Sequence, residues 1–190
     1  LACGGFEMNE EMRLQFLCAQ PIFPSCPSAN EGDGIKAAQM IGAKLWHMWH
    51  IHGSYGFLPP GSKIAFRFAF FGGRKDSKYV AGMHPKTMVW IVVDKFGRRY
   101  MNEYPPAPQD TPWRDMIYYD ANMQDYPRIP SYMIFDESGR VLGPLFKPYY
   151  TEYDDPIIKC DWSKDNSEEI KKGWIKQASS IEELALELDI

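Results

Sequence analysis

The residues best equipped for chemistry lie in an irregular stretch over positions 46–61. Trp46, His47, Trp49, His50, His52 and Tyr55 alternate there with Gly53, Gly56, Pro59 and Pro60. Long irregular segments of this composition are either binding loops or plain surface loops, and composition weighs the two evenly. Three histidines suggest a metal by number, but their spacing gives no common face and no acid or cysteine joins them. Cys3, Cys18, Cys26 and Cys160 form no CxxC pair, so neither a zinc site nor a thioredoxin-like site has spacing support. Buried free thiols are the plainer expectation. Farther along stands Arg114, in Trp113-Arg114-Asp115, whose planar guanidinium can clamp a carboxylate. Gly32-Asp33-Gly34 is a short glycine-flanked helix opening.

These residues need a scaffold. The chain has 190 residues, enough for one domain or one domain and part of another, and its 45% hydrophobic and 24% charged content is that of a folded protein. Aromatics make up 15%, which suits a packed core or an aromatic-lined pocket. A formal net charge of -4 argues against a surface that tracks nucleic-acid phosphates. No run of eighteen apolar residues is present, so no membrane-spanning helix is expected.

Leu1-Ala2-Cys3-Gly4-Gly5-Phe6 reads as the end of a buried strand entering a glycine turn. Asn9, followed by Glu10 and Glu11, predicts a capped helix with Met12, Phe16 and Leu17 on one face. A second helix opens at Gly32-Asp33-Gly34 with Ile35, Ala38, Met40, Ile41 and Leu45 as its apolar stripe. Gly42-Ala43 near its end suggests close backbone packing. Residues 64–71 read as a buried strand. Val89-Trp90-Ile91-Val92-Val93 is the clearest strand, and Asp94-Lys95-Phe96-Gly97 turns it into a hairpin with residues 98–102. A short helix is expected over 113–119, a buried strand over 131–135, a turn at 136–139 and an irregular stretch over 144–156. Ser180-Ile181-Glu182-Glu183 is a capping box opening a helix through Leu184, Leu186 and Leu188.

Taken in order, Leu1-Ala2-Cys3-Gly4-Gly5-Phe6-Glu7, Gly32-Asp33-Gly34 with Gly42-Ala43, Gly97-Arg98-Arg99-Tyr100-Met101-Asn102-Glu103, Ile134-Phe135-Asp136 and the segment 179–188 resemble the FAD-dependent family of fumarate reductases, urocanate reductases and ketosteroid dehydrogenases. The resemblance covers residues 1–188. It implies an α+β fold like that family's capping domain, with a hairpin-based sheet, several helices and long loops. Residues 1–34 would be an edge of the FAD-binding domain and residues 35–190 the substrate cap. No Gly-x-Gly-x-x-Gly is present, so the resemblance implies an internal piece whose partner is the rest of the FAD-binding domain.

The resemblance also implies roles. FAD is the cofactor of the intact protein, and Gly4, Gly5, Gly32, Asp33 and Gly34 lie near it there; alone, this piece is expected to lack catalysis and to bind FAD weakly or not at all. Substrate is a small molecule, an activated alkene to be reduced or a ketone to be dehydrogenated. Arg114 matches the position of the fumarate reductase proton donor. His52, or Ser54 if aligned without gaps, matches a carboxylate-binding histidine. Met83 and Lys86 stand where fumarate reductases carry a proton-relaying Glu and an Arg, and a methionine relays no proton, which counts against fumarate. Ketosteroid dehydrogenases use tyrosines as acid and base. Tyr55, Tyr104 and Tyr119 are available, and Tyr104, following Asn102-Glu103, is the best placed. The alternatives are a stand-alone module that binds a small ligand with a cap-like fold and a purely structural domain.

Overall fold

A computed structural model describes residues 2–26, 28–51, 56–68, 90–103, 112–141, 143–147 and 162–190. His52, Ser54, Tyr55, Met83, Lys86, Tyr104 and Cys160 lie outside the described residues. The described elements are α1 (Glu10–Phe16), α2 (Asp33–Met40), β1 (Gly56–Phe57), β2 (Phe66–Phe68), β3 (Trp90–Val93), α3 (Pro112–Met116), β4 (Tyr132–Phe135), α4 (Glu137–Val141), β5 (Phe146–Lys147), α5 (Ser167–Lys171) and α6 (Ile181–Leu188). The mixture of helices and strands is that expected. None of the described helices is long and apolar enough to cross a membrane.

Local signals set the helix ends. The Asn9 side chain accepts a hydrogen bond from the Met12 amide at 2.9 Å, with Glu10 and Glu11 in the first turn of α1 where the dipole favours them. Ser180 likewise accepts from the Glu183 amide at 3.1 Å, while the Glu183 carboxylate reaches back to the Ser179 amide at 3.0 Å. That is a capping box shifted by one residue at its return arm. Gly42 closes α2. At φ 92° its amide bonds to Gln39 O and the Ala43 amide to Ala38 O, the paired bonds of a Schellman turn. Among the described residues no atom lies within 4 Å of a Cβ built at Gly42, so there this glycine serves the turn and not the close packing expected of it.

Two antiparallel sheets carry the core. One has the order β1-β2-β5, with Phe57 opposite Phe66 and Phe68 opposite Phe146. The other is β3-β4, with Trp90 opposite Phe135 and Val92 opposite Met133. Ile64, Phe66, Trp90, Val92, Met101, Leu145 and Phe146 are buried together and bind the sheets to one another. Burying a side chain of this size contributes about 1.5–3 kcal/mol each against leaving it exposed.

The main correction concerns β3. Its expected partner, residues 98–102, contributes only one bridge, Val93 with Arg99, and the ladder forms with β4 instead. The turn itself is as expected: Asp94 Oδ1 accepts from the Phe96 and Arg98 amides, each at 2.9 Å, and Gly97 has φ 72°. Beyond that bridge the Glu103 carboxylate, and not a backbone carbonyl, accepts from the Val92 amide at 2.9 Å.

Other differences are smaller. Ala2, Cys3 and Gly4 are exposed and form no strand. Residues 137–141 are helical where a turn was expected, because Asp136 Oδ1 caps the Gly139 amide at 3.0 Å. α3 ends at Met116, and β5 lies inside the stretch expected to be irregular. Met40 and Ile41, at 87% and 89% exposure, and Leu186 at 82%, face outward although each was expected on a core stripe. Of the cysteines, Cys26 is buried, but Cys3 and Cys18 are exposed.

Candidate functional site

The glycines named from the sequence come together. Residues 4–9 and 30–34 run against each other as a clasp at the start of α2. The Gly32 amide donates to Gly5 O and the Met8 amide to Asn30 O, each at 2.9 Å. Asn9 Nδ2 donates to Glu31 O at 3.1 Å, and Asn30 Nδ2 to Glu7 Oε2 at 3.0 Å. Gly4 and Gly32 have φ of 78° and 80°, a conformation that costs other residues about 1–2 kcal/mol.

Each glycine is also a contact. A Cβ at Gly4 would collide with the Asn30 side chain, and one at Gly34 with Cys3 Sγ. At Gly5 it would lie 2.7 Å from Glu7 Oε1, and at Gly32 2.7 Å from Met12 Sδ and 3.1 Å from Phe6 Cβ. The space left by the missing side chains is filled by the chain's own atoms. These glycines therefore fit a backbone clasp, and they open no cradle that only a cofactor would fill. Gly4 and Asp33 remain exposed at its rim, while Gly32 and Gly34 are buried. Gly32→Ala combines backbone strain with the Met12 contact and is expected to cost about 2 kcal/mol in urea unfolding. An unchanged midpoint would show that the clasp yields freely.

A second group forms around α3. The Trp46 and His47 rings stack at 4.6 Å, His47 meets Trp49 at 5.9 Å, and Trp49 meets His50 at 6.0 Å. His50 then stands edge-on to Trp113 at 5.9 Å, and the Arg114 guanidinium lies 5.2 Å from the Trp113 ring. The irregular loop and the arginine motif, 64 residues apart between His50 and Arg114, thus meet in one aromatic run. Trp113 is 5% exposed, and its indole N–H has no hydrogen-bond partner among the described residues. Trp46, at one end of the run, is 82% exposed, and Arg114, at the other, is exposed as well. Flat apolar faces, one charged fork and one unused donor suit a flat molecule bearing an acceptor oxygen. Among the described residues no three His, Cys, Asp or Glu side chains gather as metal ligands.

Two polar arrangements stand beside these, one new and one at Glu103, which the sequence offered with Asn102 as a structural cap of the hairpin. Tyr100 pairs its hydroxyl with Ser131 Oγ at 2.7 Å, and Arg128 lies between the Tyr100 and Tyr118 rings at 4.7 and 4.5 Å. Burial raises the Tyr100 pKa above its ordinary value, against the opposing pull of the Ser131 bond and the Arg128 charge. Glu103, 2% exposed, takes the Val92 amide at 2.9 Å and the Arg99 fork at 3.0 and 2.5 Å. The bond and the charge of Glu103 raise the Arg99 pKa in turn. The Asn102-Glu103 pair was a visible signal, but its partner Val92 belongs to tertiary structure. His52 and Tyr104 lie outside the described residues, so neither group includes them.

No family model matches the chain. It is 54% identical over 143 residues to the 3-oxosteroid 1-dehydrogenase of Mycobacterium tuberculosis strain H37Rv, a match that covers 74% of this chain and 23% of that protein. The protein of the same description from strain CDC 1551 matches equally, over 22% of its length. Among solved structures, the 3-ketosteroid delta1-dehydrogenase of Sterolibacterium denitrificans, crystallised in complex with 1,4-androstadiene-3,17-dione, superimposes with a TM-score of 0.58 at 27% identity. That superposition covers 77% of this chain and 24% of the other. The chain thus spans about a quarter of the length of the relatives it matches.

Proposed function

From the premise that this chain belongs with the 3-oxosteroid 1-dehydrogenases in the flavoprotein superfamily, we propose that it forms the substrate-closing region of a flavin-dependent oxidoreductase that dehydrogenates a ketone. The observation that carries this reading is the 54% identity over 143 residues. Residues 1–34 are read as an edge of the FAD-binding domain and residues 35–190 as the cap.

Desaturating the carbons next to a ketone removes a proton from the carbon beside the carbonyl and a hydride from the next one. FAD, when bound, supplies the hydride acceptor. The chain's own residues have the remaining work: to hold the flat substrate, polarise its carbonyl and take the proton. In this reading Trp46, Trp49 and His50 give the substrate its flat walls. The Arg114 guanidinium presents donors to the ketone oxygen. Tyr104, as its phenolate, takes the proton, and His52 orients the substrate. Gly4 and Asp33, at the exposed rim of the clasp, are the clasp positions that face the cofactor.

The test is an assay of the flavin-containing protein with a 3-oxosteroid and an artificial electron acceptor, run beside one with fumarate and a reduced viologen. Turnover of the oxosteroid and none of fumarate is expected; fumarate reduction without oxosteroid oxidation would overturn the reading. Arg114→Ala is expected to lower kcat on the order of tenfold. Being exposed, Arg114 contributes little to the fold, so the urea midpoint should stay within experimental error. Unchanged turnover would remove Arg114 from the site.

A further inference from the structure

Arg114 stands on a helix of five residues, Pro112–Met116, and a helix of that length does not persist in water by itself. The last carbonyls of a helix have no partners within it. Here the Trp113 carbonyl is taken by the Ile117 amide at 3.1 Å. The Asp115 carbonyl, one residue on from Arg114, is taken from outside, by Arg128 Nη1 at 2.7 Å. A charged donor makes the stronger bond, and a cation at this end also opposes the negative pole of the helix.

Arg128 is itself held at its head and at its backbone. The guanidinium lies 4.7 Å from the Tyr100 ring centroid and 4.5 Å from that of Tyr118, within cation–π range. Ser131 Oγ donates its one proton to Arg128 O at 2.5 Å, because a carbonyl can only accept. The Tyr100 hydroxyl, 2.7 Å from Ser131 Oγ, is therefore the donor of that pair. Tyr100 follows the turn after β3, Tyr118 leaves α3, and Ser131 leads into β4. Segments remote in sequence thus converge on one side chain, and that side chain ends at the carbonyl edge of α3.

We infer that Arg128 is a positioning residue for the site: by closing the carbonyl end of α3 it holds Trp113 and Arg114 in the aromatic run. It touches no reacting group and acts through the helix. Lysine is no substitute, because a compact ammonium cannot lie flat between two rings and aim a fixed donor at a carbonyl at once. The effect of Arg128 on turnover rests on the role given to Arg114 above, whereas its hold on α3 does not.

The flavin-containing protein is assayed with a 3-oxosteroid as wild type, Arg114→Ala, Arg128→Ala and the double variant. Arg128→Ala is expected to lower kcat about fivefold, and to add less than about twofold once residue 114 is already alanine, because residues that act through one another do not add. Arg128→Lys is expected to recover little of the loss. No loss, equal losses in the two backgrounds, or wild-type kcat in Arg128→Lys overturns the proposal, since a general loosening of the fold would cost both backgrounds alike. Hydrogen exchange, read by mass spectrometry on the same samples, follows α3 without turnover. Arg128→Ala is expected to speed exchange over 113–118 about tenfold and to leave 181–188, in α6, at the wild-type rate. Unchanged exchange over 113–118, or faster exchange in both segments, overturns the proposal. Wild-type protein that turns over no oxosteroid removes the dehydrogenase reading, and exchange then decides the role of Arg128 by itself.

Discussion

Replacing Asn166 with alanine is expected to lower the unfolding free energy by about 4 kcal/mol, near the top of the range for a single substitution. Asn166 has no exposed surface, and all of its side-chain polar capacity is used. Its Oδ1 accepts from the Leu145 amide at 2.9 Å and from Trp162 Nε1 at 2.7 Å. Its Nδ2 donates to Arg140 O at 2.6 Å and to Gly143 O at 2.8 Å. One side chain thus joins the end of α4, the approach to β5 and the Trp162 ring.

Alanine removes all four bonds and leaves their partners in a space that water does not reach, which is costlier than never having formed them. The backbone, at φ 62°, adds strain for any residue other than glycine or asparagine. Two companion variants separate the causes. Asn166→Gly relieves the backbone and still loses the bonds, so it recovers only about 1 kcal/mol. Asn166→Asp keeps the acceptor but turns an oxygen toward two carbonyls, and is expected to be no better than alanine. Urea unfolding measures all three. A loss below about 1 kcal/mol for Asn166→Ala would mean the four bonds are readily replaced by water.

The second large effect is expected at Glu103. Glu103→Ala strands the Val92 amide, which is buried beside the β3-β4 ladder, and leaves Arg99 without its partner. A loss of about 3 kcal/mol follows from one orphaned buried donor and one broken charged pair. The Arg99 side chain is 56% exposed, so its share is the smaller. Glu103→Gln is the informative control. An amide oxygen can still accept from Val92, so roughly half the loss should return. Thermal melts of the two variants decide the matter. Equal melting of alanine and wild type would show that Glu103 is not what closes the open edge of β3.

Both effects rest on asparagine and glutamate side chains that no sequence pattern singles out for burial. The caps were different. Asn9 before Glu10-Glu11, Ser180 before Glu183 and Gly32-Asp33-Gly34 were legible because each acts on atoms within four residues. The strands at 90–93 and 132–135 were legible from their apolar runs, but their pairing was not. A tight turn makes the nearest segment the obvious partner for β3; here that segment gives one bridge, and the Glu103 side chain takes the Val92 amide in its place.

The candidate site divides along the same line. Glycine spacing and the ordered motifs carried the family resemblance, and the glycines do gather at one place. What they touch there, Asn30, Glu7, Met12 and Cys3, was decided by folding. The aromatic run depends on His50 meeting Trp113. By itself, then, this sequence determined where α1, α2 and α6 begin, that the runs at 90–93 and 132–135 become strands, and which family it resembles, because bonds between near neighbours and ordered motifs need no distant partner. Only the tertiary structure decided strand pairing, the burial of Asn166 and Glu103, and the meeting of loop and helix at Trp113. Those depend on which surfaces lose water to one another, and that is a property of the whole packed chain.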